Sequence, residues 1–324
     1  MDSPKPRLRW YQFSLRTLLV VVTLAAIPCS WIAVKNRQAR REREAAAEIK
    51  KLGGTVEWLK PGAPAWLRSL LGDDSFTHVE WADCTGTQVT DTALARLQAL
   101  KQLRGLSLDG TQITDAGVSR LPGLPQLRHL SLAGTQVTDA GLAKLEGLKQ
   151  LQSLHLHDTQ ISDTGLAHVQ ALEQLQELWL ENTRVTDAGL AHLEGLPQLQ
   201  WLWLGCTQIT DGALAHLQGL TQLQHLWLNN TRVTDAGLAH LKGLSQLRTL
   251  SLTTTRVTDA GLAQFGMLAQ LEELSLADTQ VTDAGLAHLE GLSQLETLWL
   301  KDTRVTDEGV KKLQQALPNC QIFR

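Results

Sequence analysis

The sequence has few cysteines and few aromatic residues. Its four cysteines are Cys29, Cys84, Cys206 and Cys320, and no two of them form a C-x-x-C pair, which excludes a disulfide framework and a cysteine-based zinc site. Only 5% of the 324 residues are aromatic, yet the ten Trp outnumber the four Phe and the one Tyr together. The aromatic content is therefore concentrated in Trp, and the positions of these residues matter.

Catalytic sequence signatures are also missing. The chain contains no G-x-S-x-G, H-E-x-x-H, P-loop or dinucleotide-binding glycine pattern, each of which sets reactive groups at a fixed spacing. The sequence therefore predicts a protein that is not an enzyme and needs no cofactor. Residues 53–324 carry 19 Lys and Arg against 29 Asp and Glu. This acidic balance argues against a nucleic-acid partner, because binding to phosphates needs a basic surface.

Positive charge is in excess only near the N-terminus, where residues 1–52 hold eleven Lys and Arg against four Asp and Glu. Residues 17–34 form an uncharged run, TLLVVVTLAAIPCSWIAV. A helix of this length reaches roughly 27 Å, close to the hydrocarbon thickness of a bilayer. Basic residues flank the run, and Trp10, Tyr11 and Trp31 lie near its ends, as in an interfacial aromatic belt. We predict a basic tail (1–16) followed by a single transmembrane anchor (17–34).

Two other interpretations of residues 17–34 stay open, a cleaved signal peptide and a buried core helix. A signal peptide also begins with basic residues and an apolar run, but no good cleavage site follows this one. If the run is an anchor, its orientation is not decided by charge, because Lys and Arg are nearly balanced on its two sides. The common arrangement, with the short N-terminal tail in the cytoplasm, places the repeats outside the cytoplasm. Residues 35–54 predict a charged juxtamembrane helix, a solvated stalk that ends at Gly53 and Gly54.

A pentapeptide repeat fills the rest of the chain. The pattern T-(Q/R)-(V/I)-(T/S)-D begins at Thr87 and recurs every 24 residues until Thr303, ten times in all. L-x-x-L-x-L precedes most copies, and its last two Leu share the buried face of a strand, so the neighbouring residues point outward. We expect the first Thr hydroxyl to bond buried backbone where the strand ends. The Asp is expected to open a short helix, where the N-terminal dipole favours a carboxylate.

This pattern resembles the leucine-rich repeat family. Together with the N-terminal segment it is similar to bacterial membrane-anchored leucine-rich repeat proteins of uncharacterised function. The resemblance implies an α/β fold, a right-handed solenoid or horseshoe with a parallel sheet on its concave side and helices on its convex side. Within it we expect an N-terminal cap (55–78), ten 24-residue repeats (79–312) and a C-terminal cap (313–324).

Large side chains gather on the predicted concave face. Residues at one repeat position lie on neighbouring strands about 4.8 Å apart, so Trp from consecutive repeats form a ridge, whereas most flanking repeats carry small residues. Such a ridge favours a binding surface. The alternative is that Trp simply suits a strand surface and stacks on its neighbours. The candidate ligand-binding residues are Trp179, Trp201, Trp203, Trp227, His155, His157, Glu181, His225 and Asn229.

These observations predict a membrane-anchored binding protein for a protein, peptide or glycan ligand. The alternative is a structural scaffold that self-associates through its repeats, with the Trp ridge as the contact between copies. A convex column of His and the ten Asp of the repeat invite a metal hypothesis. Repeat copying and helix initiation explain them more simply, and we predict no metal site.

Overall fold

The computed structural model of the chain describes residues 15–59, 62–72 and 76–324. Within these residues, twelve strands form one sheet in sequence order. The strands are β1 (Thr55–Leu59), β2 (His78–Asp83), β3 (Gly105–Ser107), β4 (His129–Ser131), β5 (Ser153–His155), β6 (Glu177–Trp179), β7 (Trp201–Trp203), β8 (His225–Trp227), β9 (Thr249–Ser251), β10 (Glu273–Ser275), β11 (Thr297–Trp299) and β12 (Gln321–Phe323).

One long helix precedes the sheet, and a short helix follows almost every strand. The helices are α1 (Leu15–Lys51), α2 (Ala65–Leu71), α3 (Asp91–Leu97), α4 (Asp115–Val118), α5 (Asp139–Leu142), α6 (Asp163–Val169), α7 (Asp187–Leu190), α8 (Asp211–Ala215), α9 (Asp235–Leu238), α10 (Asp259–Leu262), α11 (Asp283–Leu286) and α12 (Asp307–Ala316). Several are extended by 3₁₀ turns at Leu121–Gly123, Leu145–Gly147, Ala191–Gly195, Ala239–Gly243, Phe265–Met267 and Ala287–Leu289.

The sheet is parallel from β2 onward. Strands β1 and β2 pair antiparallel, whereas each later strand pairs with its neighbour at an offset of one 24-residue repeat, as Leu178, Leu202 and Leu226 do. Alternating strands and helices require such parallel pairing, because each helix carries the chain back to the start of the next strand. The predicted α/β solenoid of leucine-rich repeats is confirmed.

The interior of the solenoid is filled by the repeated Leu side chains. Leu202, in β7, and Leu204, just after it, are fully buried. They are two residues apart, and alternate residues of an extended chain point to the same side. The predicted role of the first Thr in the pentapeptide is also confirmed. Thr207 donates its hydroxyl hydrogen bond to the carbonyl oxygen of Leu204 at 2.5 Å, and the corresponding Thr of the other repeats make the same bond.

The Asp that closes the pentapeptide does more than open a helix. The helices do begin at this Asp, but in seven of the ten the side chain that caps the helix is the preceding Thr, as when Thr234 accepts from the N–H of Ala236 at 3.3 Å. The Asp211 carboxylate instead accepts the backbone N–H and the hydroxyl of Thr234, one repeat later, each at 2.7 Å. A Cβ on Gly237 would collide with this carboxylate, which explains the glycine.

We call this pair of bonds the inter-repeat clamp: an Asp carboxylate that accepts from the backbone N–H and the hydroxyl of a Thr or Ser 23 residues later. It recurs along the solenoid at Asp91, Asp115, Asp139, Asp163, Asp187, Asp211, Asp235, Asp259 and Asp283. Each clamp joins two adjacent repeats on the helix side, opposite to the strand pairing.

Helix α1 packs against the first repeats. Its Ala45, Ala46 and Ile49 side chains are buried in the same core as the repeats. Gln38 donates from Nε2 to the carbonyl oxygen of Ala99 at 2.6 Å. The small apolar residues of the second half of α1 form one stripe that faces the solenoid. This half of the helix is therefore packed on one side, whereas a solvated stalk would be exposed on all sides.

A buried contact between a carboxylate and an imidazole holds this helix against the first repeats. Glu42 of α1 is only 1% exposed, and both of its carboxylate oxygens lie 3.1 Å from Nδ1 of His78 at the start of β2. Gln38 donates a further hydrogen bond to Glu42 at 2.9 Å. We call Gln38, Glu42 and His78 the helix latch.

The segment predicted to cross a membrane forms the first half of α1. Residues 17–34 are helical in their backbone, but most of their side chains, and residues 1–14 of the predicted tail, lie outside the described residues. Among the helices of the described part of the chain, none combines the length and apolar character needed to cross a bilayer.

The far end of the solenoid is closed by α12 and β12. Leu313, Leu317 and Cys320 are buried beneath the last repeat, and β12 pairs parallel with β11.

Candidate ligand-binding face

The outward side of strands β2 to β12 forms the concave sheet face. In each strand from β3 to β11, the central Leu points into the core and its two neighbours point outward, as Trp201 and Trp203 do on either side of Leu202. Strand register then aligns equivalent residues, so Trp179, Trp203 and Trp227 lie side by side on three adjacent strands.

Six of the predicted site residues form a continuous stack on this face, and we call them the aromatic cluster: His155, Trp179, Trp201, Trp203, Trp227 and His225. Ring centroids are 4.2 Å apart for His155 and Trp179, 4.4 Å for Trp179 and Trp203, and 4.1 Å for Trp203 and Trp227. Trp201 stacks on His225 at 3.5 Å. At these spacings the rings are in direct contact, and every one of these pairs is stacked except Trp179 with Trp203, which is tilted by 41°. The structure therefore brings these six residues together as one surface across four strands.

The Trp rings are half-buried, although the sequence suggested large exposed aromatics. The reason is that Trp203 and Trp227 are almost parallel, with an angle of 5° between their planes, so each ring covers a face of the other. Among the described residues, Trp179 donates its indole N–H to Glu177 at 2.8 Å, and no such partner is present for Trp201, Trp203 or Trp227. The cluster thus presents ring edges and free N–H donors to solvent.

The remaining predicted site residues border the cluster. His157 lies 5.4 Å from Trp179 between ring centroids, and its Nδ1 is buried without a hydrogen-bond partner in the described part of the chain. Glu181 is half-buried, and burial, with Asp158 nearby, raises its pKa. Asn229 folds over Gly205, where a Cβ would collide with the amide.

Glu177 is a site residue that sequence analysis missed. Besides accepting from Trp179, its Oε1 lies 3.4 Å from Nε2 of His155. Burial raises its pKa, but the hydrogen bonds from His155, Ser153 and Trp179 outweigh burial and leave the pKa below its usual value. Its position in the column of Trp201 and His225 was the available signal.

A recess lies beside the aromatic cluster, toward the N-terminus. It has a volume of about 380 Å³, and its floor is formed by small residues such as Ser107 and Ser131. We call it the acidic recess and define it by six side chains that line it: Trp81, Asp83, Asp109, His129, His155 and Glu177. The recess shares His155 and Glu177 with the region of the aromatic cluster, so a single ligand can contact both.

Three His residues around this face stay neutral more readily than a free imidazole. Burial is the main reason that the pKa of His129, of His157 and of His225 is lowered from the ordinary value of 6.5. Since the unfolded chain binds protons at a higher pH than the folded chain does, acidification below that value favours unfolding.

We therefore expect the free energy of unfolding to fall when the pH is lowered from about 7.5 to about 5.5. Urea denaturation at the two pH values, followed by Trp fluorescence, measures this change. The raised pKa of Glu181 makes acidification stabilising, but only at pH values nearer the ordinary pKa of a Glu carboxyl. It therefore does not mask the effect of the His residues. Replacing all three His residues by Asn should flatten the pH dependence, and an unchanged slope in that variant would contradict the assignment.

Two of the convex His residues lie beside a Glu of the preceding repeat. Nδ1 of His168 lies 2.7 Å from Glu146, and Nδ1 of His216 lies 2.8 Å from Glu194. Across the described residues, no three His, Cys, Asp or Glu side chains are grouped as metal ligands.

The geometry defines a leucine-rich repeat solenoid with an aromatic face. Residues 125–168 match the family model described as leucine-rich repeats in two copies. An internalin from Listeria monocytogenes is similar in structure, with a TM-score of 0.58 and 24% identity over 71% of this chain and 69% of that one. A leucine-rich repeat protein of Leptospira interrogans has a TM-score of 0.54 and 21% identity over 71% of this chain and 62% of that one. No curated protein matches the chain in sequence.

At these identities the structural likeness concerns the fold. The architecture of the chain is that of a solenoid of stacked leucine-rich repeats.

Proposed function

We propose that this chain is a non-enzymatic binding protein that recognises a partner protein or peptide through the aromatic cluster. The observation that carries the proposal is the unbroken stack of four Trp and two His across four strands of the concave sheet face. Trp residues dominate the energetics of protein interfaces, because each supplies a large, rigid area with few rotatable bonds.

Stacking makes a protein partner a better fit than a glycan strand. A sugar ring would need the open face of an indole, but the faces of Trp203 are occupied by Trp179 and Trp227. What the cluster offers is a ridge of ring edges with unpaired N–H donors. Apolar side chains pack against such edges, and peptide carbonyl oxygens accept from the N–H groups.

The test is a selection of random peptides displayed on phage against the full-length chain. We expect Trp203→Ala to weaken binding of the selected peptides roughly 30-fold, or about 2 kcal/mol, because it removes the centre of the stack. Binding is measured by titration calorimetry on the purified wild-type and variant chains.

Trp299→Ala is the matched control. Trp299 occupies the same repeat position but stacks on Phe323 at 6.0 Å, away from the aromatic cluster, so this variant should bind as the wild type does. Urea denaturation of both variants separates loss of contact from loss of fold. Equal affinity of the wild type and Trp203→Ala for every selected peptide would refute the proposal.

We further propose that residues 17–34 anchor the chain in a membrane with the repeats outside the cytoplasm. The uncharged run of these residues and the basic residues on both sides support this placement. The test of this placement uses a tag at the C-terminus. Cells from which the outer barrier has been removed are treated with protease, and the membrane fraction is then separated from soluble material. Loss of the tag from the membrane fraction supports the proposal. A protected tag contradicts the orientation, and a soluble tag contradicts the anchor.

A further inference from the structure

The acidic recess has one wall with an open aromatic face. The ring of Trp81 lies across Gly105, so closely that a Cβ at Gly105 would collide with it. The same ring approaches His129, with 5.7 Å between centroids. One face of Trp81 is thus occupied by the sheet. The side chain remains 36% exposed, unlike the stacked Trp of the aromatic cluster.

Two carboxylates of the recess, those of Asp83 and Asp109, each accept hydrogen bonds from the protein through one oxygen only. Asp83 accepts the N–H of Thr85 at 2.9 Å through Oδ1. Asp109 accepts the hydroxyl of Ser131 and the N–H of Ala133, both through Oδ1. The second oxygen of each carboxylate has no hydrogen-bond partner in the described part of the chain.

Two of the three carboxylates of the recess have no ion-pair partner among the described residues. The residues that line the recess include no Lys or Arg. Among the described residues, neither Asp83 nor Asp109 forms an ion pair, and Glu177 forms one only with His155. His129 is the other titratable group of the recess, and burial lowers the pKa of its imidazole. The recess therefore combines net negative charge, a free aromatic face and room for one long side chain.

We propose that the acidic recess binds an arginine side chain of the partner whose apolar residues pack on the aromatic cluster, so this inference rests on the proposed function. A guanidinium group stacks on an open Trp face and donates to carboxylate oxygens at the same time. Its planar shape matches Trp81, whereas a lysine ammonium can use the carboxylates but not the stacking contact. The partner segment therefore carries an arginine beside a bulky apolar residue.

The test uses the peptides selected on the full-length chain. We expect them to contain an arginine at a fixed spacing from a bulky apolar residue. Replacing that arginine by citrulline, which keeps the shape but removes the charge, should weaken binding to the wild type about tenfold. Binding should also weaken as salt is added, because the pair is partly solvent-exposed.

Two protein variants connect this loss to the recess. Asp83→Asn and Asp109→Asn each keep the oxygen that accepts from the protein backbone, so the fold is retained, but together they remove two charges. The double variant should no longer distinguish arginine from citrulline. Glu273→Gln is the matched control, because Glu273 occupies the repeat position of Glu177 on β10, outside the recess, and it should keep the tenfold preference.

The outcomes separate this inference from the proposed function. Selected peptides that require Trp203 but contain no basic residue would overturn the recess assignment and leave the proposed function intact. Peptides that require Asp83 and Asp109 but bind Trp203→Ala normally would support the recess and refute the role of the aromatic cluster. An equal effect of citrulline on the wild type and the double variant would also overturn the assignment.

Discussion

Replacing Asp211 by alanine is expected to lower the free energy of unfolding by about 3 kcal/mol. The change removes two hydrogen bonds to a charged acceptor and leaves the backbone N–H of Thr234 without a partner in a partly buried position. Hydrogen bonds to charged groups are worth roughly 1.5–3 kcal/mol each, and an orphaned N–H adds its own penalty. Urea denaturation measures the change.

Asp307 provides an internal control for this experiment. It opens α12 as Asp211 opens α8, but within the described residues its carboxylate pairs only with Arg324 and clamps no following repeat. If helix initiation were the whole role of these Asp residues, Asp307→Ala and Asp211→Ala would cost the same. The clamp predicts a much smaller loss at Asp307. Asp211→Asn should be intermediate, because the amide keeps one acceptor oxygen.

Replacing His78 by alanine is the second change with a large expected effect, a loss of about 3 kcal/mol. Glu42 is almost fully buried, and removing His78 leaves its carboxylate with only the hydrogen bond from Gln38 in the interface between α1 and the first repeats. Hydrogen exchange should show the loss first in the amides of residues 38–51. Urea denaturation gives its size.

The double variant His78→Leu with Glu42→Leu distinguishes a buried charge from a simple loss of packing. Apolar residues of similar volume often replace a buried ion pair without loss of stability, so the double variant should recover most of what His78→Ala loses. A double variant as unstable as the single one would show that the helix latch contributes through shape rather than through charge.

The sequence predicts the repeat architecture well, because the residues within each 24-residue unit determine the local structure of that unit. The Leu pattern determines which side of each strand is buried, and Thr207 and its equivalents satisfy a carbonyl only three residues away. Both features are local, so they can be inferred from the order of residues alone. The start of each helix at Asp follows from the same reasoning.

Features that depend on two distant segments were not predicted. The stripe of Ala45, Ala46 and Ile49 on α1 is hidden among charged residues, and nothing in that segment indicates a partner near Ala99. The inter-repeat clamp needs the side chain of one repeat and the backbone of the next. Only their juxtaposition shows that the Asp carboxylate reaches forward instead of capping its own helix.

The alignment of the Trp residues on the sheet could be predicted from the sequence, whereas the packing of their rings could not. Alignment of strands follows from the repeat period, so Trp179, Trp203 and Trp227 were expected side by side. The overlap and the angle between neighbouring rings depend on side-chain rotamers, which the sequence does not specify. The acidic recess was not predicted, because it exists where the side chains of Ser107 and Ser131 are small. Small side chains leave space on the sheet but form no sequence motif.

The inter-repeat clamp gives the solenoid an interchangeable joint. Because every clamp uses an Asp and a Thr or Ser in the same places, any repeat presents the same donor and acceptor to whichever repeat adjoins it. Gain or loss of a whole 24-residue unit, for example residues 259–282, leaves every remaining joint matched. Duplication or loss of whole units can therefore lengthen or shorten the concave sheet face in steps of one strand, while variation at the outward positions changes the chemistry of that face.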